Sequence, residues 1–445
     1  MQAPNIILFM TDQQQARASA REGFPLDTTP TLDRLGQNGC WFDKAYTPAP
    51  ICLPARVSAL TGRFPSATGA MTNMHAQSAD KNNHIPELLH QEGYTTALIG
   101  KNHSHLSGED FDHVFLLSHG GGSPQNEEEE ACDQWLKSLR HMVATEPAPF
   151  SVEDTPPARV VKEACRWIDS IDRQKSPFFM WLSVPEPHNP YYAPDPYFSM
   201  FDHQSLPPVL ADREAGATKG PTFRYLQEQE RVAVPEFDEL MPRYRANYYG
   251  MLRLIDDQIS RLMSHLEKKR LLENTVFIGV SDHGDYVGDY GLMRKGAGIC
   301  ESLMRIPFVV SGAGVSPQGR HPAHVSLVDI LPTVCEIAGL SLPPEVQGRS
   351  LWPIVKGEHF SQEEFASILA EQGFGGEPWD EEDSSADIQT PEHERVSQES
   401  VADKQQKTFT VKRFEVSSSE LLTDKEIASI TEPHENKELT ASGIQ

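Results

Sequence analysis

Asn5-Ile6-Ile7-Leu8-Phe9-Met10-Thr11 runs directly into Asp12-Gln13. The apolar run shows no alternation, so it reads as a strand buried on both faces, the kind found in a mostly parallel sheet covered by helices on each side. Its end is as informative as its body. In open α/β sheets ligands bind beyond the carboxyl ends of the strands, and this strand ends on a carboxylate and an amide. Four more short apolar runs repeat the pattern: Thr95–Gly100, Phe178–Val184, Thr275–Ser281 and Ile306–Ser311. Helical spacing lies between them. Pro157–Ile171 places Val160, Val161, Ala164, Cys165, Trp167 and Ile168 on one face, and Arg243–Lys269 does the same with Leu252, Ile255, Ile259, Leu262 and Leu266. Strands alternating with helices predict an α/β fold with a doubly wound, mostly parallel sheet flanked by helices.

Two segments interrupt that rhythm. His119–Glu130 (HGGGSPQNEEEE) is glycine-rich and then acidic, and is expected to form a mobile surface loop with Glu127–Glu130 solvated. Tyr191–Val234 is rich in proline and polar residues and is expected to lie over the site as a lid. Past residue 375 apolar periodicity fades and acidic residues dominate. Residues 1–375 are therefore expected to form the α/β catalytic domain. Residues 376–445 are expected to be an acidic, divergent, partly disordered region with one short strand around Phe409–Val416.

The formal net charge of -25 over 445 residues argues against a nucleic-acid partner, which needs a basic face. It also means that an anionic substrate must be drawn by a local cationic pocket, since the overall field repels it, and this favours a small ligand over a long polyanion. The six cysteines are scattered without close pairs and fit neither a disulfide framework nor a zinc site. No apolar run is long enough to span a membrane. Because Asn5–Thr11 already reads as a core strand, the chain as written is expected to be cytoplasmic, or periplasmic or secreted if a signal was removed.

Four strand ends carry ligand-grade residues. The first delivers Asp12-Gln13 and the second Lys101-Asn102-His103. The third delivers Pro187-His188-Asn189-Pro190, and the fourth Asp282-His283-Gly284 with Lys295 a short loop later. Taken singly, Asp12 or Asp282 reads more simply as a helix cap. His188 alone reads as a loop histidine, and Lys101 or Lys295 as solvated surface. Convergence on one sheet edge is what argues for function. Asp12, Gln13 and Asp282 are hard oxygen donors suited to Ca²⁺ or Mg²⁺, and His283 adds a nitrogen that admits Mn²⁺. Lys101, Lys295 and Arg56 would offset charge on a tetrahedral anion. His103 and His188 are the acid–base candidates. Such a set hydrolyses an ester of a tetrahedral oxyanion.

A fifth segment, Cys52-Leu53-Pro54-Ala55-Arg56, joins them. Pro54 suits the first turn of a helix, which puts Cys52 at the helix N-terminus beside unpaired N–H groups, with Arg56 on the same face. The pentapeptide has the C-x-P-x-R form that sulfatase-maturing enzymes read when they oxidise cysteine to formylglycine.

With these residues in place the chain resembles the type I sulfatases of the alkaline phosphatase superfamily from Asn5 to about Gly375. The likeness extends to Thr29-Pro30-Thr31-Leu32, Asp329-Ile330-Leu331-Pro332-Thr333 and Gly348-Arg349-Ser350-Leu351. The resemblance implies cleavage of a sulfate monoester, on family base rates that of a sugar, by a formylglycine gem-diol derived from Cys52 with the help of a formylglycine-generating or sulfatase-maturing partner. It implies one divalent metal, Ca²⁺ first and Mg²⁺ or Mn²⁺ next, held by Asp12, Gln13, Asp282 and His283. It implies that Arg56 and Lys101 stabilise the formylglycine and that His103 takes a proton when sulfate is expelled. His188 and Lys295 would bind sulfate and protonate the leaving alcohol. Asp12-Gln13 and Asp282-His283 replace the frequent Asp-Asp and Asp-Asn pairs, and relatives with such pairs include choline sulfatases and phosphonate monoester hydrolases as well as carbohydrate sulfatases. The alternatives are a phosphonate or phosphate ester hydrolase of the same superfamily, or a catalytically inactive binding homologue. The family's usual C-terminal subdomain is echoed only by Ser419-Glu420-Leu421-Leu422 and Glu432-Pro433-His434-Glu435.

Overall fold

The computed structural model describes residues 3–140, 142–171, 176–296, 298–372, 408–411 and 437–440. An eight-stranded sheet is built from β1 (Asn5–Asp12), β2 (Cys40–Tyr46), β3 (Thr95–Gly100), β4 (His113–Leu116), β5 (Phe178–Pro187), β6 (Thr275–Ser281), β7 (Phe308–Gly312) and β8 (Gly319–Ser326). Their order is β4-β3-β5-β1-β6-β7-β2-β8. Only β7 runs against the rest, pairing antiparallel with β6 and β2. All five strands read from apolar runs are present, and the sheet is mostly parallel as expected.

Alternate residues of β1 serve opposite faces. Ile6, Leu8 and Met10 pack on one side with Ala55 and Ala59 of the Cys52–Thr61 helix and Leu331 and Val334 of the Ile330–Ala338 helix. Ile7 and Phe9 pack on the other with Val160, Val161 and Ile168 of the Pro156–Ser170 helix and Ile255, Ile259 and Leu262 of the Phe237–Lys268 helix. Burial on both faces explains why the middle of β1 is apolar at every position from Ile6 to Met10, with polar residues only at its ends. Each fully buried aliphatic side chain contributes about 1.5–3 kcal/mol.

The Asp329 and Gly348-Arg349 matches turn out to be architectural. The buried Asp329 carboxylate accepts from the backbone N–H of Ser326 and of Arg349, at 2.8 Å each, ahead of the Ile330–Ala338 helix. A side chain at Gly348 would meet the Val328 carbonyl oxygen at 1.9 Å, so only glycine fits.

The loop expected over His119–Glu130 is corrected. Its acidic half opens a helix, Glu127–Ser138, capped by the Asn126 side chain accepting from Glu129 N–H at 2.8 Å. Four glutamates in the first turn suit the positive end of the helix dipole. Glu129 is buried against Arg159 at 3.3 Å and is not solvated. The Tyr191–Val234 segment contains the helices Tyr197–Met200, Arg213–Thr218 and Pro221–Ala233.

The chain divides into two units, Met1–Ala386 and Asp387–Gln445. In the second, Thr408–Val411 pairs antiparallel with Lys437–Thr440, which covers the first part of the strand expected around Phe409–Val416. The remainder of that strand, most of the 376–445 region and the segments at Ser419–Leu422 and Glu432–Glu435 lie outside the described residues. No helix among the described residues is long and apolar enough to cross a membrane.

Candidate active site and metal centre

The carboxyl ends of β1, β3, β5 and β6 meet the start of the Cys52–Thr61 helix. At the end of β1 the register with β5 shifts, so that Asp12 pairs with Pro187. Irregularities of this kind re-aim a side chain at the rim of a sheet. The end of β3 depends on Gly100, whose φ is +108°. A Cβ there would lie 1.9 Å from the Ser183 carbonyl oxygen, the group that accepts from Lys101 N–H at 2.8 Å. Close approach of two backbones thus sets the direction of Lys101.

Cys52 Sγ lies 3.0 Å from Lys295 Nζ, 3.2 Å from His283 Nε2 and 3.7 Å from Asp12 Oδ1. Arg56 is fully buried and has no direct bond to the sulfur. Its Nε donates to Asp282 Oδ2 at 2.8 Å and its Nη2 to Asp12 Oδ2 at 3.1 Å. Its Nη1 reaches Ser183 Oγ at 2.8 Å and the Lys101 carbonyl at 3.2 Å. Arg56 therefore clamps the two carboxylates. Lys101 Nζ also bonds Asp12 Oδ2, and it donates to His119 Nε2 at 2.7 Å.

Electrostatics follow from this packing. Burial and the Asp12 charge push the Cys52 thiol up, but Lys101, Lys295 and His283 outweigh them and hold it well below its usual range. Burial likewise pushes the Asp12 carboxyl up, and Lys101, His188, Arg56 and Lys295 bring it well below the ordinary carboxylate range. Burial and neighbouring positive charges push both His119 and His188 down, which leaves the rings neutral.

The donor set fits a divalent cation. Ligand atoms of Asp12, Cys52, Asp282 and His283 all lie within 4.8 Å of one another and all four residues are buried. His283 Nδ1 donates to the Gly284 carbonyl at 2.8 Å, so Nε2 is the ring nitrogen that faces the carboxylates and the one a cation would take once its proton is displaced. Gln13 Oε1 lies 3.3 Å from Lys295 Nζ and adds an amide oxygen on the same side.

His188 stands beside this cluster. Its Nδ1 donates to the Asn189 carbonyl at 2.9 Å, and its ring stacks on His119 with centroids 3.8 Å apart. His103 is set apart from it. Its φ is +37°, its Nδ1 is buried without a hydrogen-bond partner, and it lines a cavity of about 540 Å³ with Lys101, Asn102, Ser118 and His119. Asn102 is engaged internally, donating to the Leu106 carbonyl at 2.8 Å.

Sequence reading singled out neither His119 nor Tyr244, and it gave Asp285 and Tyr191 no role of their own, Tyr191 entering only as the start of the segment expected over the site. His119 had a findable signal. Val114-Phe115-Leu116-Leu117 is a short apolar run that stops one residue, Ser118, before it, much as the four longer strands run into their own polar ends.

Comparison with known proteins bears on the family and the fold. A family model described as Sulfatase matches residues 4–340. An arylsulfatase from Clostridium perfringens is 30% identical over 407 residues, covering 84% of this chain and 82% of the relative. An N-acetylglucosamine-6-O-sulfatase from Bacteroides thetaiotaomicron is 26% identical over 412 residues, covering 80% of this chain and 71% of the relative. Among solved structures, the phosphonate monoester hydrolase of Agrobacterium radiobacter superposes with a TM-score of 0.69 at 24% identity, covering 80% of this chain and 78% of that one.

Proposed function

This chain belongs to the sulfatase family, and from that premise we propose that it hydrolyses a sulfate monoester of a carbohydrate, using formylglycine at position 52 and one divalent metal, with calcium the first candidate. The observation that carries the reading is Cys52 Sγ at 3.0 Å from Lys295 and 3.2 Å from His283, at the mouth of a helix and against two buried carboxylates. Asp12, Gln13, Asp282 and His283 would hold the metal, which when bound supplies Lewis acidity and orients an oxyanion. A maturing partner enzyme supplies the oxidant that converts the Cys52 thiol, and the hydrated aldehyde then provides one hydroxyl for attack and a second to restore the carbonyl.

The chain's own residues account for the rest. Lys101 and Lys295 place two ammonium groups around position 52, where they offset the charge of a sulfate ester. His188 is neutral with its proton on Nδ1, so the Nε2 lone pair can accept a proton and then deliver that proton to the departing alcohol. The cavity beside Lys101 has room for a sugar-sized leaving group and offers it Asn102, His103, Ser118 and His119. The N-acetylglucosamine-6-O-sulfatase relative supports a sugar as the alcohol.

Mass spectrometry of the Cys52 peptide, from a host that carries a maturing enzyme, is expected to find the aldehyde. The kcat/KM for sulfate monoesters is expected to exceed that for aryl phosphonates. An unmodified thiol with intact sulfate-ester turnover sinks the mechanism. A large phosphonate preference would transfer the site to the other branch of the superfamily, whose fold it shares.

A further inference from the structure

Gln13 offers a cation an amide, and an amide differs from a carboxylate in one decisive respect. Only one of its two ends can bind a cation. A glutamine ligand therefore needs something to set which end faces inward.

The surroundings of Gln13 do this at every polar atom. Its backbone adopts φ +73°, in the left-handed region that side-chain-bearing residues seldom occupy. Gln13 N–H donates to Asp282 Oδ1 at 3.0 Å, and the Gln13 carbonyl accepts from Tyr248 OH at 2.9 Å. On the side chain, Nε2 donates to Asp285 Oδ2 at 2.6 Å and lies 3.0 Å from Tyr191 OH. Asp285 is in turn held by Tyr191 OH at 2.7 Å, by Val287 N–H at 2.8 Å and by Tyr244 OH. Every group around its two oxygens is a donor, so the carboxylate presents only acceptors to Gln13. On the opposite side, Lys295 Nζ can only donate, and it meets Oε1 at 3.3 Å. The two ends of the amide are thus fixed by partners of opposite kind.

We infer that Asp285, backed by Tyr191 and Tyr244, is the positioning residue that turns the Gln13 amide so that its oxygen faces the cation site. The inference rests on the metal-site reading above. Asp285 itself is fully buried, bonded to Gln13 and the tyrosines, and acts through Gln13. The tyrosines Tyr244 and Tyr248 come from the long Phe237–Lys268 helix, so this helix takes part in setting metal affinity although it supplies no ligand.

The test is calorimetric titration of the purified protein with calcium chloride, with no substrate present. Asp285→Asn is expected to weaken calcium binding at least tenfold, because the new side chain amide can present a donor to Gln13 and release its orientation. Gln13→Glu alone is expected to weaken binding as well at neutral pH, since two carboxyl groups meeting at hydrogen-bond distance hold a proton between them that calcium must displace. The double variant Gln13→Glu/Asp285→Asn restores a donor facing an acceptor and is expected to bind calcium tighter than either single variant, a reciprocal rescue that a merely structural role would not produce. Tyr244→Phe removes one support without touching Gln13 and is expected to weaken binding by about threefold. If Asp285→Asn does not fold, as judged by circular dichroism, the Tyr244→Phe titration decides. The inference is overturned if Asp285→Asn, or failing that Tyr244→Phe, binds calcium as the unaltered protein does, or if the double variant binds no tighter than both singles. If the unaltered protein binds no divalent ion at all, the metal-site reading falls first and this inference with it.

Discussion

Replacing Arg56 by leucine tests the electrostatic logic of the site without reference to turnover. The guanidinium is fully buried and makes two charge-assisted bonds, to Asp282 at 2.8 Å and Asp12 at 3.1 Å, with two neutral bonds to Ser183 and Lys101. Each charge-assisted bond is worth about 1.5–3 kcal/mol net. Lys101 remains on Asp12, and Gln13 and His283 N–H remain on Asp282, so the loss is partly cushioned. Removing one partner of a buried ion pair typically costs about 3–5 kcal/mol, because a charge is left without its counter-charge. We expect that loss for Arg56→Leu by urea denaturation in excess chelator. Because Arg56 is also part of the C-x-P-x-R stretch, the comparison belongs in a Cys52→Ala background, where maturation plays no part. Saturating calcium should then narrow the gap by about 1 kcal/mol or more, since an ion bound to the native state alone stabilises it, and the ion takes up the charge Arg56 left behind. A gap under about 1 kcal/mol in chelator would refute the clamp. A gap that calcium leaves unchanged would refute the idea that ion and guanidinium share the same carboxylates.

Two further outcomes follow from residues beside the site. His119→Ala removes the acceptor for Lys101 Nζ and the stacking surface under His188. It is expected to lower kcat/KM by about 10- to 100-fold with Cys52 conversion unaffected, while His119→Phe, which keeps the stack, recovers part of kcat; equal rates for the alanine variant and the parent would remove His119 from the mechanism. His105 is buried with neither ring nitrogen hydrogen-bonded, and burial together with His84 pushes it down to about 4. A histidine depressed in the fold contributes stability that is full above its unfolded value near 6.5 and is lost as pH falls toward 4, up to about 3 kcal/mol in total; urea midpoints across that window should fall less steeply for His105→Phe, and parallel slopes would refute the assignment.

How legible the molecule was depended on burial. The strands β1, β3, β5, β6 and β7 are covered on both faces, so their sequences are continuous apolar runs. By contrast, β4 and β8 are edge strands with half their surface in water, and Gly319–Ser326 carries Arg320, His321 and His324 where an interior strand would carry aliphatics. Strand β2 hides Asp43, whose charge is met by Arg320 Nε at 2.8 Å, a long-range pairing that no local pattern announces. The same division holds at the site. Asp12, Gln13, Cys52, Arg56, Lys101, Asp282, His283 and Lys295 are linked by direct contacts, and all were readable because strand ends and a helix start are local features. The individual roles of Asp285, Tyr191 and Tyr244 were not, because they exist only once a tertiary fold brings three distant segments around one amide.

Charge explains why that amide matters. The buried cluster holds three fixed cations, Arg56, Lys101 and Lys295, against two carboxylates, Asp12 and Asp282. A second aspartate at position 13 would bring the count to neutrality before any ion is bound. Glutamine leaves an excess of positive charge at the one place where a protein of net charge -25 must hold an anion. The cost is that a neutral ligand attracts a cation less strongly and works from one end only. Orientation by Asp285 offsets the second loss, and its own charge, three hydrogen bonds removed from Cys52 Sγ, supplies long-range attraction for a cation without placing another anion against the substrate.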